Sequence, residues 1–144
     1  MASTNGKLSE YHAAVALAEL DGWHRKQDAI AHVIDTYRHH FEAAGLGDRL
    51  IAAPHVCSTY VIFRCEDSAE SKHVRGRLES GGVGYRLWYG RGLHHHTYFR
   101  RVGRPRCSVT DELAPRLIGL PFAPDLSEPT IAAVVATVAG GVAR

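Results

Sequence analysis

The sequence predicts a small α+β domain with helices packed on a short β-sheet, and three observations carry that expectation. Its 144 residues suit one compact domain. Long stretches carry the three-and-four apolar spacing or the composition of helices. Between them lie short β-branched and aromatic runs bounded by glycine, proline and acidic residues. The order reads α-α-β-α-β-α-α without repeats, which favours helices laid on a small sheet. A single small domain over residues 1–144 is expected, with a long helical segment over 1–47 and an α/β remainder over 48–144.

Leu8 to Leu20 is apolar on nearly every side (Ala13, Ala14, Val15, Ala16, Leu17, Ala18), with Ser9 as its N-cap. A helix apolar all round is expected to be buried, by later elements of its own domain or by another polypeptide. After Trp23 the apolar residues narrow to a stripe of Ile30, Val33, Ile34, Tyr37 and Phe41, with Arg38, His39 and Glu42 outside it, and the helix should end near Gly45 and Gly47. Thr59 to Arg64 reads as a strand between Pro54 and the acidic pair Glu66 and Asp67. Ser68 to Ser80 should be a helix with Val74 and Leu78 inward, stopped by Gly81 and Gly82, and Val83 to Tyr89 a second strand broken by Gly90 and Gly92. A loop is expected up to Cys107, then a short helix from Thr110 in which Pro115 would cost a hydrogen bond. Ser127 should cap a last helix with Pro129 in its first turn and Ile131, Val134, Val135, Val138 and Val142 on one face.

Composition narrows the class. Mean hydropathy of -0.17 and 22% charged residues are ordinary for a globular protein and exclude a disordered or collagen-like chain. The longest nearly apolar stretch, Ile131 to Ala143, is too short to span a bilayer, and no basic-then-apolar leader opens the chain, so a cytoplasmic location without membrane association is expected. Cys57, Cys65 and Cys107 form an odd set without CxxC spacing and are expected to be reduced and structural. The net charge of +2 is small, but only Lys7, Lys26 and Lys72 among the 17 basic residues are lysines. No carboxylate falls between Glu79 and Asp111, an interval that holds Arg86, Arg91, Arg100, Arg101, Arg104 and Arg106. Arginine forks suit phosphate or carboxylate, so this interval is a candidate anion site.

The bland alternatives weigh against most other chemistry. His94-His95-His96 invites a metal, but adjacent residues in an extended loop point in different directions and no HExxH accompanies them; no metal site is expected. One of the three facing a pocket is the simpler reading. The Arg-rich interval with Tyr85, Trp88, Tyr89, Tyr98 and Phe99 could serve a nucleic acid, yet it carries no recognised nucleic-acid motif, so nucleic-acid binding is not expected and a phosphate-bearing small molecule is preferred. No GxSxG, Walker loop or GxGxxG is present.

Three strings bear a family likeness. Asn5-Gly6-Lys7-Leu8-Ser9-Glu10-Tyr11-His12 and the Ala-rich run after it resemble the segment that follows the catalytic-lysine region in the DegT/DnrJ/EryC1/StrS family of pyridoxal-phosphate-dependent sugar aminotransferases. Val83 to His94 resembles that family's strand and active-site loop, and Leu120 to Ser127 its "LP…P.L" run before the terminal helix. The likeness covers essentially the whole chain but only the C-terminal part of such an enzyme.

The resemblance implies the small C-terminal domain of a fold-type I transferase, without the large domain that holds pyridoxal phosphate and its Schiff-base lysine. It implies that Asn5 reaches the cofactor phosphate of a partner subunit, with Lys7 as a point charge where the family usually has arginine. His94 matches the position that faces the substrate, and Arg91, by proximity, is the candidate for a sugar-nucleotide diphosphate. Pro115 departs from the family's helix-forming run. Catalytic residues are therefore expected outside this chain. Alone it should not move an amino group from glutamate to a keto-sugar nucleotide, and its partner would be a separately encoded large-domain chain or a second copy in a homodimer. The alternative is a non-catalytic nucleotide-sugar-binding or interaction module that keeps the fold.

Overall fold

The computed structural model describes residues 8–53, 58, 60–87, 90, 92–99 and 107–142. Helix α1 (Glu10–Asp21) is capped by Ser9, whose side chain accepts from the His12 amide at 3.3 Å, and Gly22 joins it to α2 (Trp23–Ala43). The stripe on α2 is buried as its spacing predicts: Ile30, Val33, Ile34, Tyr37 and Phe41 all face the core. Gly45, with φ of 72°, turns the chain after the helix, a conformation that costs glycine least.

Among the described residues four short strands form an antiparallel sheet: β1 (Leu50–Ile51), β2 (Val61–Arg64), β3 (Arg86–Leu87) and β4 (Leu117–Leu120), in the order β1-β2-β4-β3. Val61 pairs with Leu120 and Phe63 with Ile118, and these four buried side chains make the sheet's inner surface. Helices α3 (Ser68–Ser80) and α5 (Glu128–Ala139) close the core with α2, burying Val74 and Leu78 from α3 and Ile131, Val134, Val135 and Val138 from α5. Phe41 stacks on Phe63 at 5.3 Å between centroids, and the Tyr37 hydroxyl donates to the Pro121 carbonyl at 2.7 Å, so the one polar atom of that aromatic layer is satisfied. A Cβ on Gly141 would stand 2.9 Å from the Val74 Cα, so the chain after α5 lies against α3 at a distance only glycine allows.

An ion-pair network ties β1's approach to α3. Arg49 donates to both carboxylate oxygens of Glu70 at 2.9 Å and to Glu66, while Glu70 also accepts from the Glu66 amide at 2.7 Å. Asp67 caps α3 by accepting from the Ala69 and Glu70 amides at 2.8 Å.

The architecture agrees with the predicted α+β class and departs from it in particulars. No residue of α1 is buried, so the reading of a helix wrapped by its own later elements is corrected; among the described residues α1 packs chiefly on α2. The expected strand from Thr59 begins at Val61, Thr59 itself lying outside the described residues, and the strand expected over Val83 to Tyr89 is described only at Arg86–Leu87, with Trp88 and Tyr89 outside. A short helix α4 (Ser108–Leu113) starts two residues earlier than expected and stops before Pro115, which sits in a 3₁₀ turn (Ala114–Arg116) and costs no α-helical bond. The central strand β4 follows, an element the predicted order lacks. Ser127 does occupy the N-cap of α5, but its hydroxyl pairs with that of Thr130 at 2.8 Å rather than with a backbone amide.

Candidate functional site

The loop after β3 is shaped by glycine. Gly90 and Gly92 have φ of 60° and 99°, and a Cβ on Gly92 would stand 2.7 Å from the Thr110 side chain and 2.8 Å from the His94 ring. The missing side chain lets the loop press against α4. Leu93–His95 then forms a 3₁₀ turn, closed by His95 N–H to the Gly92 carbonyl at 3.1 Å and His96 N–H to that of Leu93 at 3.0 Å.

This turn removes the premise that adjacent histidines diverge. His94 and His95 lie with ring centroids 4.2 Å apart, and both Nε2 atoms meet the same oxygen, Asp111 Oδ1, at 2.8 and 2.6 Å. The ionised carboxylate only accepts, so both rings carry their proton on Nε2 in this arrangement. Asp111 stands in the first turn of α4, where negative charge is favoured. Hydrogen bonds from His95 and then His94 hold its carboxyl below the usual range. The His94 side chain is 11% exposed and that of Asp111 47%, so the cluster has a buried wall and an open mouth.

A second feature lies at the other end of the β3–β4 pair. Tyr60, Tyr85, Arg86, Gly119, Pro121 and Phe122 line an open cleft of about 500 Å³. A Cβ on Gly119 would stand 3.3 Å from the Arg86 carbonyl, so the bare glycine admits β3 beside β4 and keeps the cleft floor low. The Tyr85 hydroxyl donates to Glu79 at 2.5 Å, which fixes one aromatic wall.

Of the residues singled out from sequence, His94 is placed in the 3₁₀ turn; Asn5, Lys7 and Arg91 lie outside the described residues, as do Arg100, Arg101, Arg104 and Arg106. Of the arginines in the candidate anion interval, Arg86 is described and lines the cleft, whereas Asp111 was not singled out as a site residue. Asp111 is 17 residues from His94, and its only sequence mark is that it ends the carboxylate-free interval. A Schiff-base cofactor needs an amine desolvated within a pocket. Lys26 is instead exposed and paired with Glu19 at 2.6 Å, and Lys72 is exposed on α3, so the described residues do not fit the covalent attachment of pyridoxal phosphate. Cys65 is buried, and burial pushes its thiol up to about 12, which removes it as a nucleophile; Cys107 is half-buried, and Cys57 lies outside the described residues. Among the described residues no helix is long and apolar enough to cross a membrane.

Comparison with known proteins gives one consistent answer. The model of the DegT/DnrJ/EryC1/StrS aminotransferase family matches residues 1–139. Protein Rv3402c of Mycobacterium tuberculosis and Protein Mb3436c of Mycobacterium bovis are each 32% identical over 139 residues, which is 93% of this chain and 33% of theirs. The chain thus spans about a third of the length of the curated relatives it matches. A Bacillus cereus structure described as a PLP-dependent aminotransferase superposes with a TM-score of 0.85 at 22% identity, over 96% of this chain and 38% of that one. A DegT DnrJ EryC1 StrS aminotransferase from Brucella abortus superposes with a TM-score of 0.74 at 19% identity, over 94% and 36%. At these identities the likeness establishes the fold.

Proposed function

The chain belongs to the DegT/DnrJ/EryC1/StrS aminotransferase family, and from that premise we propose that it is the small C-terminal part of a nucleotide-sugar aminotransferase, working only when the remaining two thirds are supplied. The observation that carries this reading is α1. Its apolar side chains, Tyr11, Val15, Leu17 and Leu20, are all exposed, a surface suited to a further polypeptide and poorly suited to water. The complete enzyme would transfer an amino group from an amino acid such as glutamate to a keto-sugar nucleotide, and pyridoxal phosphate would supply the electron sink for that chemistry. A Streptococcus pneumoniae structure described as a sugar aminotransferase in its PMP form supports a pyridoxal-type cofactor and a sugar substrate.

Within such an assembly this chain's residues bind and orient. Asn5 and Lys7 would hold the cofactor phosphate across a dimer interface, and His94 and Arg91 would face the sugar nucleotide. Asp111 fixes the orientation of the His94 ring by accepting from Nε2. The site would be cytoplasmic, as nucleotide sugars are. A second reading, a non-catalytic nucleotide-sugar-binding module, is favoured by one observation: the cleft of about 500 Å³ lined by Tyr60, Tyr85, Arg86 and Phe122 is of ligand size and needs no second chain.

The test is reconstitution. The chain alone should show no cofactor absorbance and no amino transfer, whereas mixing it with a large-domain polypeptide of the family should produce both. Amino transfer by the chain alone would overturn the reading. Failure of the two folded parts to associate, with calorimetric binding of a nucleotide sugar to the chain alone, would establish the second reading instead.

A further inference from the structure

We propose that His94, His95 and Asp111 form a binding site for a divalent transition-metal ion of the zinc class. One donor atom from each residue lies within 4.8 Å of the other two. Two imidazoles and a carboxylate are the donor set that zinc takes in sites with three protein ligands and one open position. Both Nε2 atoms are already aimed at one point, the Asp111 oxygen 2.8 and 2.6 Å away. Donors on a tetrahedral zinc stand roughly 3.3 Å apart, given metal–ligand distances of about 2.0–2.1 Å. To admit the ion the carboxylate withdraws and the rings turn, so that the N–O separations open from 2.8 and 2.6 Å toward that spacing, and Asp111 is exposed enough to do so.

The backbone holds the chelate together before any ion arrives. The 3₁₀ turn Leu93–His95 fixes the two histidines, and Gly92 permits the turn to lie on α4 because any Cβ there would strike both the His94 ring and Thr110. Ion binding moves each ring's proton from Nε2 to Nδ1, which frees the Nε2 lone pair for the metal and leaves both imidazoles neutral. The open position faces the mouth of the cluster, where water or an anionic oxygen completes the shell. Imidazole nitrogen rather than oxygen dominates the set, which selects zinc, cobalt or nickel over magnesium and calcium.

The experiment titrates the EDTA-treated full chain with Zn2+ by calorimetry and with Co2+ by visible absorbance, alongside His95→Ala, Asp111→Asn and the control His39→Ala, which alters the histidine pair His39–His40 on α2. The expected result is one Zn2+ per chain, a four- or five-coordinate Co2+ spectrum and no heat from Mg2+. His95→Ala and Asp111→Asn should each weaken Zn2+ at least about tenfold, since loss of even an outer-shell partner costs that much, and His39→Ala should leave it unchanged. Absence of Zn2+ binding, or binding that both site variants leave intact, overturns the proposal. Unchanged far-ultraviolet dichroism of His95→Ala, which removes only a partly exposed ring, keeps a loss of binding from being read as unfolding.

Discussion

Helices α1 and α5 are near twins in sequence and opposites in environment. Each has 12 residues, each is preceded by Ser at its N-cap, and each is built largely from alanine and branched aliphatics. Helix α5 buries Ile131, Val134, Val135 and Val138, whereas α1 buries nothing, and Leu17 and Leu20 are 60% and 66% exposed. Apolar content does not decide burial; arrangement does. The four residues of α5 stand at i, i+3, i+4 and i+7, one face that a single neighbouring layer can cover. In α1 the large side chains at Tyr11, Val15, Leu17 and Leu20 spread around the axis, so cover is needed on more than one side. The described residues supply the cover for α5 and not for α1.

That contrast can be broken or sharpened by measurement. Ile131→Ala should cost about 2–5 kcal/mol in urea denaturation, the transfer loss plus a cavity beneath the sheet. Glu70→Ala leaves Arg49 without its bidentate partner in a mostly buried setting and should cost about 2–3 kcal/mol, below the full buried-pair value of about 3–5 because Arg49 keeps Glu66 and some water. Stability should also depend on alkaline pH through Cys65. Its thiol stays protonated to about 12 when folded but ionises near 8.5 when unfolded. The unfolded chain therefore binds fewer protons above about pH 8.5, and stability falls as pH rises through that window, by roughly 1–2 kcal/mol near pH 10. Cys65→Ala should flatten the profile there, and native-state alkylation at about pH 8 should spare Cys65 while modifying Cys107. Gly141→Ala should cost about 1–2 kcal/mol because its Cβ meets the Val74 backbone. Smallest of all, Leu17→Ala on α1 should change the stability of the lone chain by less than about 0.5 kcal/mol, as an exposed site does. An effect as large as that of Ile131→Ala would mean that the two helices are not opposites.

Sequence periodicity carried the helices well and the sheet poorly, for physical reasons. Helices α2 and α3 face solvent on one side only, so the spacing of the α2 stripe and of Val74 and Leu78 on α3 reports the buried side. Strand β4 is central in the sheet, and Ile118, Gly119 and Leu120 are all buried, so no polar alternation marks it; a glycine and a preceding helical signal disguise it further. At the candidate site the family likeness reached His94 from a local string. His95 stood out only as part of the histidine triplet, and its meeting with Asp111 became legible only through the turn at Gly92, since proximity across 16 or 17 residues is made by backbone conformation and not by spacing. The exposure of α1 was equally out of reach, because a helix apolar all round states that it needs cover without stating what provides it.

Amide hydrogen exchange across α1 and α5, in the chain alone and after mixing with a large-domain polypeptide of the family, tests the central claim most directly. The account predicts that α5 is protected in both states and that α1 exchanges rapidly in the lone chain and becomes protected in the assembly. Strong protection of α1 in the lone chain, or rapid exchange of α1 within an assembled and active enzyme, would contradict it.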